Sequence, residues 1–95
     1  MAWVLTSDAV ADLDRISAEG ALRWGFERSE RYELELAAMF DQLADMPHMA
    51  PVRQAVRSEV RLMPCGSHHV VYVVDNEDVV ILRVLHGLQN WFELL

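Results

Sequence analysis

Two apolar runs in the C-terminal third of the chain are typical of paired β-strands. Val70–Val74 and Val79–Leu85 are rich in β-branched residues, and the polar turn Asp75–Asp78 separates them. A third run precedes them and ends at Cys65-Gly66, a second turn signal. The three runs together predict an antiparallel meander. Such a sheet is apolar enough to require another layer of structure on at least one face.

Two helical patterns upstream supply that layer. Ser7 is a candidate N-cap, and apolar residues recur at helical spacing over residues 8–23. Trp24-Gly25 then predicts the end of this helix. A second apolar stripe runs over residues 26–46, and Pro47 ends it. On its other side, Glu27 and Arg31 have the i,i+4 spacing of a favourable ion pair.

The remaining segments complete the order of elements. Ala2 to Thr6 is a short β-prone run, and residues 48–57, with Pro51, predict a loop before a strand that begins at about Ser58. A chain of 95 residues can bury one core but not two, so residues 1–95 are expected to form a single domain. The predicted class is α+β: a two-helix hairpin packed on a small antiparallel sheet, in the order βααβββ.

Charge limits the functional classes. The formal net charge is −7, and all eight basic residues are arginines. A protein whose main role is to grip a nucleic-acid backbone gains affinity from many Lys and Arg contacts to phosphate, whereas this chain would be repelled at long range. Direct nucleic-acid binding is therefore not expected, although a few arginines can still act locally.

Neither a membrane location nor a metal site is expected. No apolar run reaches 18 residues, the start of the chain lacks a signal-peptide pattern, and the single cysteine, Cys65, excludes an intrachain disulfide, so we expect a cytoplasmic protein. The side chains of His68 and His69 should point to opposite faces of a strand, one packed against the helices and one exposed. A Cys65/His68 pair lacks a third ligand, so no metal or cofactor is predicted.

Several short motifs occur in an order that matches a known family. They are the opening Leu5–Leu13, the helix break Arg23–Gly25, the proline after the second helix, the Arg-x-x-Pro-x-Gly pattern of Arg61–His68, and the strand Ile81–Gly87. With Tyr32 and Tyr72, this order resembles the ParE toxins of the RelE/ParE superfamily of bacterial toxin–antitoxin systems, over about residues 3–92. Two loops depart from the family pattern, at Ala50-Pro51 and at Arg57–Glu59, and both concern loop geometry rather than the core.

The resemblance implies the toxin component of a type II toxin–antitoxin system. ParE toxins bind DNA gyrase, trap it on cleaved DNA and arrest growth, and a ParD-like antitoxin neutralises them in a hetero-oligomer. No enzymatic activity of the toxin itself is implied. The candidate target contacts lie at the C-terminal end, where arginine, histidine and aromatic residues occur together: Arg83, His86, Trp91 and Phe92. Alternatively, the two aromatic residues fasten the tail to the core.

The sheet carries more apolar residues than one covered face requires. If the helices cover one face, the other exposes a patch of the kind that usually marks a partner site. Either the tail Leu88–Leu95 folds back over that patch, or the antitoxin covers it. The candidate antitoxin contacts combine apolar strand positions with arginines: Arg23, Arg31, Arg57, Val71, Val73 and Arg83.

Two alternative functions stay open. A RelE-like, ribosome-dependent mRNA endonuclease would need positive charge and acid–base groups, for which the candidates are Arg61, Arg83, His86 and Tyr72. The lack of lysine and the net charge argue against it, and Arg83 can instead be a sheet arginine paired with Glu59 or the chain terminus. The other alternative is a non-toxic remnant that only binds antitoxin.

Overall fold

The structure, a computed structural model, describes residues 2–87 and 94–95. In chain order its elements are β1 (Ala2–Leu5), α1 (Ser7–Trp24), α2 (Phe26–Asp45), β2 (Val52–Gln54), β3 (Glu59–Cys65), β4 (His68–Asp75) and β5 (Asp78–His86). The strands form one sheet in the order β1-β5-β4-β3-β2, with the helix hairpin packed on it. The predicted α+β class is confirmed. No helix in the described ranges combines the length and the apolar character that crossing a membrane requires.

Two features of the sheet differ from the sequence prediction. The sheet is mixed, because β1 pairs with β5 in parallel, from Ala2 opposite Asp78 to Leu5 opposite Ile81. The strand β2 lies inside the segment that was predicted to be a loop, and it pairs antiparallel with β3. All three residues of β2 are exposed, so it has no alternation of apolar and polar residues that would reveal it in the sequence.

Helix α1 begins one residue earlier than predicted, because Thr6 rather than Ser7 is its N-cap. The hydroxyl of Thr6 accepts a hydrogen bond from the N–H of Ala9 at 3.1 Å. The same hydroxyl donates to the carbonyl of Leu82 at 2.8 Å, and the Thr6 N–H donates to the carbonyl of Ile81 at 3.1 Å. One residue thus ends β1, starts α1 and joins both to β5.

Glycines set the geometry of the helix hairpin. Gly25 has a φ of +86°, and its N–H donates to the carbonyl of Ala21 at 3.1 Å, which ends α1 as predicted. Within α1, a Cβ on Gly20 would lie only 2.6 Å from the hydroxyl of Ser29 in α2. Gly20, which weakens an isolated helix, therefore allows the two helices to approach closely.

The principal core lies between the hairpin and one face of the sheet. Its buried members come from both layers: Ala9, Leu36, Phe40, Leu43, Ala50, Val70, Tyr72, Val79, Ile81 and Val84. Tyr72 has no exposed area, and its hydroxyl donates to the carbonyl of Pro47 at 2.9 Å. The phenol therefore satisfies a backbone group just after α2 while its ring fills the core.

A second apolar cluster covers the opposite face of the sheet. Ala55, Val60, Leu62, Val71 and Leu85 form it, with Val73, Leu82 and Leu95 packed against it. Because Leu95 reaches this cluster, the end of the chain returns to the face that the helices leave uncovered. This contact concerns Leu95 alone, since residues 88–93 of the tail, which was predicted to fold back over the sheet, lie outside the described residues.

Replacement of Gly66 by alanine is expected to destabilise the fold more than the same replacement at Gly87. Both glycines have a φ of +59°, so alanine at either position costs about 1–2 kcal/mol for its left-handed backbone. At Gly66 the new Cβ would also lie 2.6 Å from the Tyr32 ring, whereas at Gly87 none of the described residues lies within 4 Å of it. Urea unfolding followed by circular dichroism measures both free energies of unfolding. Equal losses would contradict the close packing of Tyr32 on this turn.

Candidate functional site

A buried carboxylate, Asp12, joins α1 to β5. It is only 2% exposed, and its oxygens accept hydrogen bonds from Nε and Nη2 of Arg83 at 2.7 and 2.9 Å. The backbone N–H of Val84 donates to it at 2.9 Å, and Nη2 of Arg15 at 2.8 Å. Two donors from one guanidinium and one from the backbone fix both the position and the orientation of the carboxylate.

Asp12 and Thr6 compensate for the short length of β1. This strand ends at Leu5, opposite Ile81, so the edge of β5 beyond that point has no strand partner. Along this edge the Thr6 hydroxyl bonds to the carbonyl of Leu82, and Asp12 accepts the N–H of Val84. Side chains from the start of α1 therefore satisfy backbone groups that a longer β1 would otherwise have paired.

The charges of Asp12 and Arg83 are mutually stabilised. Burial by itself would raise the pKa of Asp12, but the hydrogen bonds from Arg83 and Val84 and the positive charges of Arg83 and Arg15 hold that pKa below its ordinary value of 3.8. The hydrogen bond to Asp12 in turn raises the pKa of Arg83. Arg83 pairs with a carboxylate, as predicted. That carboxylate belongs to Asp12, whereas Glu59 and the chain terminus were the partners suggested from the sequence.

A second polar junction joins α2 to the turn between β3 and β4. The Tyr32 hydroxyl lies 2.5 Å from Nδ1 of His68, accepts the N–H of Ser67 at 3.0 Å and lies 3.2 Å from the carbonyl of Cys65. Burial raises the pKa of Tyr32. Burial, followed by repulsion from His86, lowers the pKa of His68, which favours the neutral ring.

The histidines lie as the strand pattern predicts. His68 is buried beneath the helices, and its ring packs edge-on against His86 with 5.2 Å between centroids. His69 points to the other face and donates from Nδ1 to the carbonyl of Gly87 at 2.6 Å. Within residues 2–87 and 94–95, no group of three His, Cys, Asp or Glu side chains is arranged to hold a metal ion.

The surface carries two clefts near these junctions. One, of about 240 Å³, lies between α1 and β5, where its lining includes Arg15, Glu19, Arg83 and His86. The other, of about 420 Å³, lies between α2 and the β3–β4 turn, and we refer to it as the hairpin cleft. Its lining residues are Trp24, Arg28, Arg31, Tyr32, Glu35 and Ser67.

The residues considered for an mRNA endonuclease do not form an open site. Tyr72, a candidate only if the protein is a nuclease, is fully buried, and its hydroxyl donates to the carbonyl of Pro47. Nη1 of Arg61 donates to the carbonyl of Ala50 at 2.6 Å, and Asp12 holds Arg83. Of the four candidates only His86 is exposed. The structure thus gives three of these side chains internal partners. It brings Arg83 and His86 together at the cleft between α1 and β5, while Arg61 and Tyr72 line a different cleft, so the four do not share one site.

The predicted partner contacts have different outcomes. Val71, a predicted antitoxin contact, has no exposed area here, because the second apolar cluster buries it. Arg23, Arg31 and Arg57 are exposed and stay predictions, as do the partly buried Val73 and Arg83. Trp91 and Phe92, predicted as target contacts, lie outside the described residues.

Sequence reasoning missed the hairpin cleft. Trp24 was interpreted only as part of a helix end, and Arg28 was not singled out. The available signal was the pair of apolar residues Leu22 and Phe26 that flank the Trp24-Gly25 break without joining either helical stripe. Apolar residues outside a stripe point to a surface that another molecule covers.

The comparison with known families is decisive. The family model for the ParE toxin of the type II toxin–antitoxin system parDE matches residues 4–91. The chain belongs to the ParE toxin family. The resemblance found in the sequence is therefore confirmed, and the protein is the toxin of a two-component system in which an antitoxin is the partner.

Individual ParE relatives agree with this assignment. Toxin ParE1 of Caulobacter vibrioides is 38% identical over 86 residues, which cover 90% of this chain and 88% of the relative. Toxin ParE1 of Mycobacterium tuberculosis is 32% identical over 85 residues, with 88% and 87% covered. A solved structure of the chromosomal ParDE system from P. aeruginosa superposes with a TM-score of 0.79 at 20% identity, covering 92% of this chain and 96% of that one. This last likeness supports the fold.

Asp12→Asn is expected to lower the free energy of unfolding by about 3 kcal/mol at pH 7, because it leaves a partly buried guanidinium without its counter-charge. The matched control is Asp14→Asn, an exposed position in the same helix with no side-chain hydrogen bond in the described part of the chain. This control should change stability by less than about 0.5 kcal/mol. Urea unfolding measures both, and equal effects would contradict the role given to Asp12.

Acid is expected to remove the contribution of Asp12. Because its folded-state pKa lies below 3.8, the unfolded state binds the proton more readily, and the stabilisation is lost as the pH falls through the folded pKa. The difference in the free energy of unfolding between the wild type and Asp12→Asn should be constant above about pH 5. It should become smaller below about pH 4. Urea titrations from neutral pH into this range test the expectation. A difference that does not narrow would contradict it.

Proposed function

We propose that this ParE-family toxin arrests growth by binding DNA gyrase and stabilising its cleaved-DNA complex, and that a ParD-like antitoxin neutralises it. The match to the ParE family over residues 4–91 supports the proposal, because the family resemblance implies gyrase as the target. Since gyrase works on the chromosome, the cytoplasm is the proposed site of action.

The proposed toxin acts by binding rather than by chemistry of its own. Cleavage of an RNA phosphodiester needs positive charge and proton-transfer groups around the phosphate. Here Arg83 donates hydrogen bonds to Asp12, and Arg61 donates one to the carbonyl of Ala50. Tyr72 is buried. A protein that favours one state of gyrase needs only a surface that binds this state more tightly than the others. The internal engagement of Arg83 is the observation that most supports this interpretation.

The proposed target contact is the segment from Arg83 to Phe92. Its described part, residues 83–87, includes His86, which is exposed at the end of β5 and packs against His68. The hydrogen bonds of Asp12 to Arg83 and Val84 hold β5 in place just before His86. The proposed target contact therefore starts at a fixed strand. Trp91 and Phe92 follow in the sequence, and aromatic residues are common energetic centres of protein interfaces.

The first test incubates the purified protein with gyrase and supercoiled plasmid and measures linear, protein-linked DNA. Accumulation of this product is expected. The variant Trp91→Ala/Phe92→Ala should need about tenfold or more protein for the same effect. The control is Phe26→Ala, which truncates an aromatic residue that is 73% exposed at the start of α2, outside the segment 83–92, and it should behave as the wild type. Thermal unfolding confirms that each variant is folded.

Other outcomes would contradict the proposal in distinguishable ways. No linear DNA at concentrations well above that of gyrase, together with cleavage of ribosome-bound mRNA, would favour the endonuclease alternative. Absence of both activities, with no growth arrest on expression without antitoxin, would identify a remnant that only binds antitoxin.

A further inference from the structure

The hydroxyl of Tyr32 holds the turn between β3 and β4 in place. It accepts a hydrogen bond from the N–H of Ser67 at 3.0 Å, and it lies 2.5 Å from Nδ1 of His68 and 3.2 Å from the carbonyl of Cys65. These three partners belong to the turn and to the strand ends beside it, whereas Tyr32 belongs to α2. A single side chain of the helix layer therefore sets the position of this turn relative to the helices.

The ring of Tyr32 packs directly against the same turn. Gly66, in the turn, has a φ of +59°, and a Cβ there would lie 2.6 Å from Cε1 and 2.7 Å from the hydroxyl oxygen of Tyr32. Only glycine permits so close an approach. The turn can therefore move away from α2 but not towards it, and the bonds of the hydroxyl oppose that movement.

The contacts of the hydroxyl also fix the tautomer of His68. The Ser67 N–H uses a lone pair of the Tyr32 oxygen, and the single hydroxyl proton goes to the nearer acceptor, which is Nδ1. Burial lowers the pKa of His68 and favours its neutral ring. The ring's own proton then lies on Nε2, and a neutral ring can pack edge-on against His86 without charge repulsion.

The turn and the start of β4 hold the end of β5. The carbonyl of Ser67 accepts the N–H of Gly87 at 2.8 Å, and Nδ1 of His69 donates to the carbonyl of Gly87 at 2.6 Å. His68 lies directly opposite His86 in the pairing of β4 with β5, with 5.2 Å between the ring centroids. The last residue of β5 and the glycine after it therefore take their position from this turn.

We propose that Tyr32 is a positioning residue for the target contact, because it fixes the β3–β4 turn and the turn fixes His86 and Gly87. This inference rests on the proposed function, in which residues 83–92 contact gyrase, and it adds a residue outside that segment on which the contact depends. Binding is tighter when a surface is already held in its bound arrangement, since less conformational entropy is then lost on association. Without the Tyr32 hydroxyl, His86 and Gly87 would have more conformations to lose.

Tyr72 provides a matched control for a purely structural role. Its hydroxyl also donates to a backbone carbonyl, that of Pro47, at 2.9 Å, but Tyr72 pairs with Ile81, well before the end of β5. Because Tyr72 is fully buried, Tyr72→Phe should lower the midpoint of thermal unfolding at least as much as Tyr32→Phe does. If only fold stability mattered, Tyr72→Phe would be the more harmful variant in every assay.

The first measurement is the hydrogen exchange of the Gly87 amide, followed by NMR in the wild type and in both variants. This N–H donates to Ser67, so its exchange rate reports how often the end of β5 separates from the turn. Tyr32→Phe should raise the rate by about fivefold or more, since the turn loses a hydrogen bond of ordinary strength. Tyr72→Phe should leave the rate within about twofold of the wild type, because its lost bond lies elsewhere.

The second measurement repeats the gyrase assay with the same three proteins. The protein concentration that gives half-maximal linear DNA should rise by about five- to tenfold for Tyr32→Phe, because the target contact is less well ordered. It should rise by less than about twofold for Tyr72→Phe, whose change lies away from the contact. Thermal unfolding confirms that each variant is folded at the assay temperature.

The contrary results can be told apart. Equal losses in the gyrase assay would show that fold stability alone matters and would overturn the positioning role. An unchanged exchange rate at Gly87 in Tyr32→Phe would overturn the link between α2 and the end of β5. Faster exchange with unchanged gyrase inhibition would overturn the role of Tyr32 at the target while leaving the gyrase proposal intact. No linear DNA with the wild type would overturn gyrase inhibition and the role of Tyr32 in it together, whereas the exchange rates would still show the link to β5.

Discussion

The contact between Asp12 and Arg83 holds the helix layer to the sheet in register. A single carboxylate from the first helix accepts two hydrogen bonds from a guanidinium and one from the backbone of strand β5. Because both charges are largely removed from water, removal of either partner would leave the other uncompensated. The helix hairpin therefore cannot slide along β5 without breaking this network, and the hairpin cleft and the end of β5 keep fixed positions relative to each other.

Polar residues that were candidates for catalysis instead make hydrogen bonds to backbone groups inside this ParE-family protein. Arg61 and Tyr72 fix the segment after α2 through backbone carbonyls, and Tyr32 fixes the β3–β4 turn. The side chains left at the surface include apolar residues, arginines and many carboxylates. Such a surface is suited to recognition of other proteins, which agrees with a toxin whose effect depends on its target and whose control depends on its antitoxin.

The elements with strong periodicity could be predicted from the sequence, and the contacts between distant residues could not. Both helices and the meander follow from apolar spacing and from turn residues, and the ParE resemblance follows from the order of motifs. The partner of Arg83 is 71 positions away, and nothing in the local pattern distinguishes Asp12 from the many other acidic residues. The parallel pairing of β1 with β5 likewise joins residues that are far apart in the sequence, so no local pattern indicates it. The burial of Val71 was missed because alternation shows that a strand has two apolar faces but not what covers the second one.

The position of β5 in the sheet also determines when the chain can fold. This strand lies between β1 and β4, although it is the last strand along the chain. While the ribosome still encloses the C-terminal part of the nascent chain, the first strand has no neighbour and Asp12 has no guanidinium. Folding must then wait until β5 has left the ribosome, since the contacts of β1 and of Asp12 are both made with this strand. A chain that stopped before β5 would therefore lose the partners of β1 and of Asp12 together, and it could not hold the helix hairpin on the sheet.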